Sequence, residues 1–249
     1  MKPICSIFFH NYYGNHKYWI DFFIEKIKIP SILYYNIVNE SIYNLDENIS
    51  EILKLADTNI GNINKIIFRQ SSNKGKDIGG KMVLLDAYQK LDFKTEFGVF
   101  LHDKKSIYKA NNITWANELF KIIEPDFQKK ALQLLTENVN IGIVAASGSI
   151  INEYNESLKS FASNNKAILS FLQDLFKIFP NNFQYVAGTM FWYRMQPINN
   201  FFKNNSPLQI RESFEGGNVI DQYSGSYTHS WERLLCWIIT MQKYKINTI

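Results

Sequence analysis

Short apolar runs alternate with helix-like segments through the first hundred residues, and this alternation limits the folds open to the chain. The four apolar runs are Ile4–Phe9, Ile32–Val38, Lys65–Phe68 and Phe97–Leu101. Strands that alternate with helices usually form parallel sheets through right-handed crossovers. The sequence therefore predicts an α/β fold, with a mostly parallel central sheet flanked by helices, in a single domain spanning all 249 residues.

The fourth apolar run leads directly into charged residues. His102, Asp103, Lys104 and Lys105 follow it without a break. Open α/β sheets bind ligands at the carboxyl ends of their strands. A carboxylate there can hold a metal ion and two lysines can neutralise a pair of phosphates, so this segment suits a nucleoside diphosphate. A charged loop that binds nothing would have the same character.

Glycines and lysines follow the third run. Ser71–Gly80 separates that run from a helix predicted over Lys81–Leu91. Glycines in such a position let backbone amides approach an anion, although the segment matches neither G-x-G-x-x-G nor a Walker loop. The candidate ligand contacts in this segment are Asn73, Lys76, Asp77 and Gly79. Asp77 could accept a hydrogen bond from a ribose or sugar hydroxyl, and the alternative is a tight turn with solvated lysines.

The loop after the first run is polar and aromatic. His10, Tyr12 and Tyr13 could stack on a nucleobase and hydrogen-bond to it, or they could pack within the protein. Carboxyl ends of parallel strands share one edge of a sheet. We therefore expect the loops at His10, Asn73 and Asp103 to lie close together.

The second half of the chain carries further candidate residues. A strand is predicted over Phe183–Tyr193, with Gly188 interrupting it to leave room beside a ligand. Glu232 lies in the first turn of the last predicted helix, where it could act as a general base or simply complement the helix dipole. His229, just before that turn, could contact a phosphate or a metal ion. Asn199–Gly225 is rich in Asn, Ser and Gly, and is predicted to be a mobile loop.

Composition narrows the partners and the compartment. The net charge of +4 comes from 27 basic and 23 acidic residues without a basic stripe, which argues against nucleic acid and fits an anionic ligand or an acidic membrane surface. Cys5 and Cys236 lie far apart in apolar runs, as expected for buried thiols in a reducing cytoplasm. The histidines and cysteines lack the spacing of a zinc site. No run approaches the roughly 20 apolar residues that span a bilayer.

Taken together, five segments resemble the rhamnan synthesis protein F family, bacterial glycosyltransferases of surface polysaccharide assembly. The segments are His10–Tyr13, Asn73–Gly79, Leu101–Ser106, Gly188–Trp192 and His229–Arg233. The resemblance implies a glycosyltransferase A-like fold, with a Rossmann-like nucleotide-sugar-binding half (residues 1–110) fused to an acceptor-binding half (residues 111–249). It implies a nucleotide diphosphate sugar as donor, and the family name suggests rhamnose as the sugar. The acceptor would be a growing glycan or a lipid-linked sugar, reached from the cytoplasm at the inner face of the membrane.

Many proteins of that fold hold manganese or magnesium through an Asp-x-Asp motif, whereas this chain has His-Asp-Lys-Lys at the matching strand end. The candidate ligands for such a metal are Asp103 and His229. The residues expected to bind the donor are His10, Tyr12, Asn73, Lys76, Asp77, Gly79, His102, Lys104, Lys105, Gly188 and His229.

The mechanistic hypothesis assigns the leaving-group charge to Lys104, Lys105 and Lys76. Glu232 is the expected base of an inverting transfer, with Asp103 as its competitor. The alternative is a catalytically inactive glycan-binding or scaffold module of a polysaccharide assembly system. A nucleotidyltransferase fits less well, because such enzymes usually place a glycine-rich loop after the first strand, and His10–His16 contains a single glycine.

Overall fold

The computed structural model describes residues 2–39, 49–91, 94–103, 119–217, 219 and 224–249. The strands are β1 (Cys5–Asn11), β2 (Ser31–Val38), β3 (Ile63–Ser71), β4 (Phe97–His102), β5 (Ile141–Ala145), β6 (Ile150–Asn152), β7 (Tyr154–Asn155), β8 (Ser160–Phe161), β9 (Gln184–Val186), β10 (Phe191–Arg194) and β11 (Lys245–Thr248). The helices are α1 (His16–Lys26), α2 (Ile49–Leu53), α3 (Lys76–Gln89), a 3-10 turn (Lys121–Ile123), α4 (Pro125–Glu137), α5 (Lys166–Phe176), α6 (Met195–Asn204), α7 (Pro207–Glu212) and α8 (Tyr227–Thr240). Lys104 and Lys105 lie outside the described residues.

The central sheet has seven strands in the order β11-β5-β10-β4-β1-β2-β3. β10 runs antiparallel to both of its neighbours, and the other neighbouring pairs are parallel. The predicted mostly parallel sheet is therefore confirmed. β1, β2, β3 and β4 end at one edge, called the carboxyl edge below, and the turn before β10 reaches the same edge because that strand runs the opposite way.

Each face of the sheet is covered by helices over an apolar core. On one face, Phe8 packs its ring against those of Tyr34 and Phe100, at centroid distances of 5.0 and 5.6 Å. Helices α3, α5, α6 and α8 contribute to this core. On the other face, Phe9 packs against Trp19 and Phe23 of α1, and α4 completes the layer. Full burial of such a side chain contributes about 2–3 kcal/mol, so the two aromatic layers hold the sheet between its helices.

The start of α8 differs from its prediction. The helix begins at Tyr227, so His229 lies inside it and Glu232 lies in its second turn rather than its first.

The structure corrects two further predicted element boundaries around the candidate site. The predicted start of α3 at Lys81 is wrong, because the helix begins at Lys76 and takes in the second half of the glycine segment. The predicted strand Phe183–Tyr193 is also wrong. It is two strands separated by a turn, since β9 pairs with β6 in a small sheet and β10 joins the central one. Apolar runs in the sequence do not show which sheet a strand will join.

The second half differs from its prediction in two further places. Asn199–Gly225 was expected to be a loop, but its first part forms the end of α6 and then α7, where Ser206 accepts a hydrogen bond from Gln209 N at the helix start. Pro207 at the first position of α7 suits a helix start. β11 was not predicted, because its sequence Lys245–Thr248 alternates without an apolar run.

Candidate functional site at the carboxyl edge

Polar side chains replace the aromatic core at the last positions of three neighbouring strands. The sheet register sets His10 of β1 beside His102 of β4 on one side and beside Asn36 of β2 on the other. Two residues earlier, the same face carries the ring cluster of Phe8. Because side chains two apart on a strand share a face, this polar row lies directly above the apolar core, beneath α3.

A chain of hydrogen bonds runs from His10 toward α7. Asn36 Nδ2 donates to His10 Nδ1 at 3.0 Å and to Ser71 Oγ at 2.9 Å. Ser71 Oγ donates to the Ser72 carbonyl at 3.1 Å, and Arg211 Nη2 donates to the same carbonyl at 3.0 Å. An amide nitrogen only donates, so the neutral His10 ring carries its proton on Nε2. This network joins the end of three strands to a helix 200 residues further along the chain.

Three polar atoms of this network are buried without a hydrogen bond in the described part of the chain, namely His10 Nε2, Asn36 Oδ1 and Arg211 Nε. Buried polar atoms are nearly always satisfied by protein, water or a ligand. His10 is only 2% exposed and lies beneath α3, so its predicted role of stacking on a nucleobase is wrong. Its ring is instead a buried hydrogen-bonding group.

Burial lowers the pKa of His10 to about 4. A histidine whose folded pKa lies below its unfolded value of about 6.5 contributes stability that is present above pH 6.5 and is lost as the pH falls toward 4. We therefore expect the free energy of unfolding to fall by about 2–3 kcal/mol between pH 7 and pH 4 through this group. Denaturant unfolding across this range tests it, and His10→Asn should flatten the slope. An unchanged slope in the variant would contradict it.

A buried ion pair lies next to the histidine row. Lys81, which is completely buried, donates to Asp77 Oδ2 at 2.6 Å, one helical turn away on α3. His102 Nδ1 lies 3.4 Å from the Lys81 ammonium and 3.5 Å from Asp77 Oδ2. Burial by itself would raise the pKa of Asp77, but the Lys81 ammonium and His102 hold it well below its usual value. Asp77 is therefore an ionised acceptor at the carboxyl edge. His10, Asn36, Asp77, Lys81 and His102 are called the edge cluster below.

One glycine lets α3 approach β1 closely, and another lets the preceding turn pack against the helix. A Cβ atom on Gly79 would overlap the carbonyl oxygen of Lys74, and one on Gly80 would overlap the His10 ring. Both glycines lie inside the helix, so the interpretation of this stretch as an open loop around an anion is wrong. Their function is close packing of the helix that carries Asp77.

Gly80→Ala is accordingly expected to destabilise the protein by about 2–3 kcal/mol, because the His10 ring cannot move without breaking its bond to Asn36. Thermal or denaturant unfolding measures this. Gly216→Ala serves as the control, because a Cβ atom there meets nothing within 4 Å. Gly148→Ala is unsuitable as a control, because Gly148 has a positive φ that alanine rarely adopts. Equal stability of Gly80→Ala and the wild type would contradict the packing.

Asp103 holds the loop that follows β1. Its two carboxylate oxygens accept hydrogen bonds from the backbone N–H groups of Tyr12 at 2.8 Å and Tyr13 at 2.6 Å. The Asp103 backbone N–H donates to the His10 carbonyl at 3.1 Å. The loops at His10 and Asp103 are thus together, as predicted. Tyr12 remains partly exposed beside them, with its ring packed against that of Tyr13.

The lysines of the glycine segment contact the last residue of α7 and the chain after it. Lys74 Nζ donates to the Glu212 carbonyl at 2.7 Å, and Lys76 Nζ donates to the carbonyl of Val219. Asn73, close by, is buried. These contacts bring the segment around α7 over the start of α3, next to the edge cluster.

A second carboxylate lies on the β10 side of the same edge. Glu232 of α8 accepts the Gly188 N–H at 2.7 Å through Oε1, and Arg233 Nη1 at 2.8 Å through Oε2. Gly188 and Thr189 both have positive φ, of 82° and 50°, in the turn before β10. Because Phe191 lies opposite Phe100 in the sheet, this turn lies beside the end of β4. Gly188 therefore forms a turn at the site, not the interrupted strand that was predicted.

The chain is similar to a known family of proteins. The family model described as rhamnan synthesis protein F matches residues 3–244. The chain belongs to the rhamnan synthesis protein F family. No curated protein matches the chain. Membership implies a role in the synthesis of rhamnan or a related polysaccharide. In the parts of the chain that the structure describes, no helix has the length and apolar character needed to cross a bilayer.

Asp103 and His229 are the candidate ligands for a divalent metal ion. Asp103 uses both oxygens on the loop backbone, and His229 Nδ1 lies 2.6 Å from Ser226 Oγ, the cap of α8. Within the described ranges, no three His, Cys, Asp or Glu side chains are grouped as a metal ion would need. The described residues therefore do not fit a manganese or magnesium site, and the binding and transfer steps proposed for this chain involve no such metal.

Three residues of the site were missed by sequence reasoning. These are Asn36, Lys81 and Arg211. Asn36 lies within an apolar run, and a polar residue at the carboxyl end of such a run is the signal that could have identified it. Lys81 was assigned to the start of a helix, where a lysine is ordinarily solvated. Arg211 lies in a segment predicted to be a loop, so nothing in the sequence placed it near His10.

Proposed function

We propose that this chain is a glycosyltransferase that moves a sugar from a nucleotide diphosphate donor to a growing polysaccharide or a lipid-linked glycan. The observation that carries the proposal is the edge cluster, in which an ionised Asp77 and two unsatisfied buried polar atoms lie at the carboxyl edge of a mostly parallel sheet. Such edges bind nucleotides in open α/β folds. In this proposal the fold is glycosyltransferase A-like, residues 1–110 bind the donor and residues 111–249 bind the acceptor.

The donor half supplies hydroxyl and phosphate contacts. Asp77 accepts a hydrogen bond from a ribose or donor-sugar hydroxyl, since its carboxylate is ionised and still 23% exposed. Lys104 and Lys105, which follow β4 directly, and Lys76 neutralise the diphosphate. Arg211, which comes from the other half of the chain and is bound to Ser72 beside the same helix start, adds a fourth cation. A bidentate guanidinium suits phosphate oxygens.

The transfer itself is an inverting displacement at the anomeric carbon. Glu232 removes the proton from the acceptor hydroxyl while the oxygen of that hydroxyl bonds to the anomeric carbon. The bond between this carbon and the diphosphate oxygen breaks, and the bonding electrons leave with the diphosphate. The cations of the donor half take up that charge. Asp103 is the competing base, and it is less suitable because Asp103 is buried whereas Glu232 is partly exposed.

A panel of nucleoside diphosphate sugars tests the proposal by thermal shift, with and without manganese and a chelator. Ligand at a hundredfold excess over its dissociation constant should raise the melting temperature by about 5 °C or more. A shift with one nucleotide that persists in chelator supports the lysine-based site. No shift with any member of the panel would refute donor binding.

A glycan-binding or scaffold module is the second candidate, favoured by one observation. Both candidate bases are engaged by protein groups, since Arg233 pairs with Glu232 and the loop backbone binds Asp103. This function predicts that oligosaccharides of the cognate glycan shift the melting temperature while the nucleotide sugars do not. Release of free nucleoside diphosphate from a donor, measured over time, would rule it out.

A further inference from the structure

Large apolar side chains on α5 and just after it face solvent. Phe171 and Leu175 lie four residues apart on α5 and are 53% and 56% exposed, and Phe179, which follows the helix end at Phe176, is 56% exposed. Residues four apart lie on one side of a helix. The core-facing side of the same helix is separate, and it is formed by Leu169 and Leu172. The exposed row is therefore additional to what the fold needs for its core.

Two lysines lie at the ends of the helix that carries most of this row. Lys166 begins α5 and Lys177 ends it, and both are exposed, while Asp174 is the acidic residue of the helix. A helix with Phe and Leu on one side and flanking lysines is typical of attachment to an anionic lipid surface, where each lysine near the surface adds to binding. We propose that α5 docks the protein on an anionic bilayer surface, with the row of Phe171, Leu175 and Phe179 inserted at the headgroup boundary.

The size of the row favours lipid over a protein partner. Three half-exposed side chains offer about 300 Å² of apolar surface, whereas a specific protein interface buries about 800 Å² on each partner. Insertion at a membrane has no such minimum area. The charge of the whole chain, +4, has the sign that an anionic surface attracts.

The start of α5 is bonded to the start of α8, which carries Glu232. Asn165, the residue before α5, accepts a hydrogen bond from Ser226 N at 2.8 Å, and Ser226 caps α8. α5 is about 16 Å long, so a bilayer that holds its far half lies within about that distance of this bond to α8. Docking would therefore present the site to a lipid-linked acceptor. That last step rests on the proposed function, but docking itself does not.

Vesicle sedimentation tests the docking. Wild type should bind vesicles of phosphatidylcholine with phosphatidylglycerol, and bind neutral phosphatidylcholine vesicles at least tenfold more weakly. Phe171→Ser with Phe179→Ser should lower the partition coefficient about thirtyfold. Lys166→Gln with Lys177→Gln, which leaves the apolar row intact, should also lower it about thirtyfold. Val139→Ser, at a 72% exposed position outside α5, is the matched control and should bind as the wild type does.

Failure of wild type to bind anionic vesicles would overturn the proposal, as would equal binding by the α5 variants. Wild-type dimers that the Phe variants convert to monomers would also overturn it, because the row would then be a contact between copies. Thermal shifts with nucleotide sugars should be the same in the α5 variants and wild type. Loss of docking with retained nucleotide binding, or the reverse, therefore separates this proposal from the proposed function.

Discussion

Lys81→Met is expected to destabilise the protein by about 3 kcal/mol, or roughly 10 °C in melting temperature. The substitution keeps the volume of a completely buried side chain but leaves Asp77 ionised beside the core without the ammonium 2.6 Å from it. Removing one partner of a buried pair costs more than the pair contributes, because the other charge stays behind. Asp77 is partly exposed, which keeps this loss of stability to about 3 kcal/mol. Denaturant unfolding at pH 7 measures it.

The same helix supplies a matched control. Lys90 pairs with Asp86 at 2.7 Å and at the same four-residue spacing, but its side chain is 66% exposed. Lys90→Met should change stability by less than about 0.5 kcal/mol. Asp77→Asn combined with Lys81→Met removes both charges, and it should recover most of the stability lost in the single variant. A Lys81→Met protein as stable as Lys90→Met would show that the pair is not a buried one.

The ion pair also predicts an acid-side effect with a definite sign. The folded pKa of Asp77 is depressed, so its stabilisation is present above the unfolded value of about 3.9 and is lost as the pH falls below it. Wild type should therefore lose stability below about pH 4 through this group, and the neutral double variant should lose less. Its range lies below that of His10, so the two groups can be separated by pH.

Glu232→Gln is expected to lower turnover by at least about 100-fold, the usual contribution of a general base. Glutamine keeps an oxygen that can accept the Gly188 N–H, now at 2.7 Å from Oε1, but it cannot take up the proton of an acceptor hydroxyl at neutral pH. The turn before β10 should therefore keep its conformation while the chemistry is lost. Steady-state kinetics with the donor found by the nucleotide panel, together with its binding affinity, separates these effects.

Glu153→Gln is the control for the loss of charge. Glu153 Oε2 accepts from Arg233 Nε at 2.9 Å, so this variant also removes one carboxylate from the arginine that Glu232 contacts. Its turnover should stay within about threefold of wild type. If Glu232→Gln is as active as Glu153→Gln while Asp103→Asn is inactive, the base is Asp103. If all three variants and the wild type lack turnover but bind glycan, the scaffold function is correct.

The sheet could be predicted from sequence because each parallel strand is a continuous apolar run. Buried strands can be identified from the apolar runs Ile4–Phe9 and Phe97–Leu101 without knowing which strands lie beside them. Right-handed crossovers then place the carboxyl ends of these strands together. The proximity of His10 and Asp103 followed from that rule. The residue types at the strand ends were enough to predict this part of the site, because the topology of the sheet brings those ends together.

Contacts between distant segments could not be predicted in the same way. Whether Lys81 is solvated or buried depends on which side of α3 faces the sheet, and the helix began five residues before its predicted start. The function of Gly80 depends on the His10 ring, 70 residues earlier. Arg211 reaches Ser72 only because α7 packs against α3, and nothing local to either residue encodes that contact.

Isothermal titration calorimetry in the presence of chelator tests the edge cluster most directly, by comparing the binding of the nucleoside diphosphate sugar to wild type and to the folded double variant Asp77→Asn with Lys81→Met. Wild type should bind the nucleotide identified by the panel, and the double variant should bind it at least tenfold more weakly, since the hydroxyl loses a charged acceptor. Equal affinities for the two folded proteins would place the nucleotide elsewhere and contradict a donor site at the carboxyl edge.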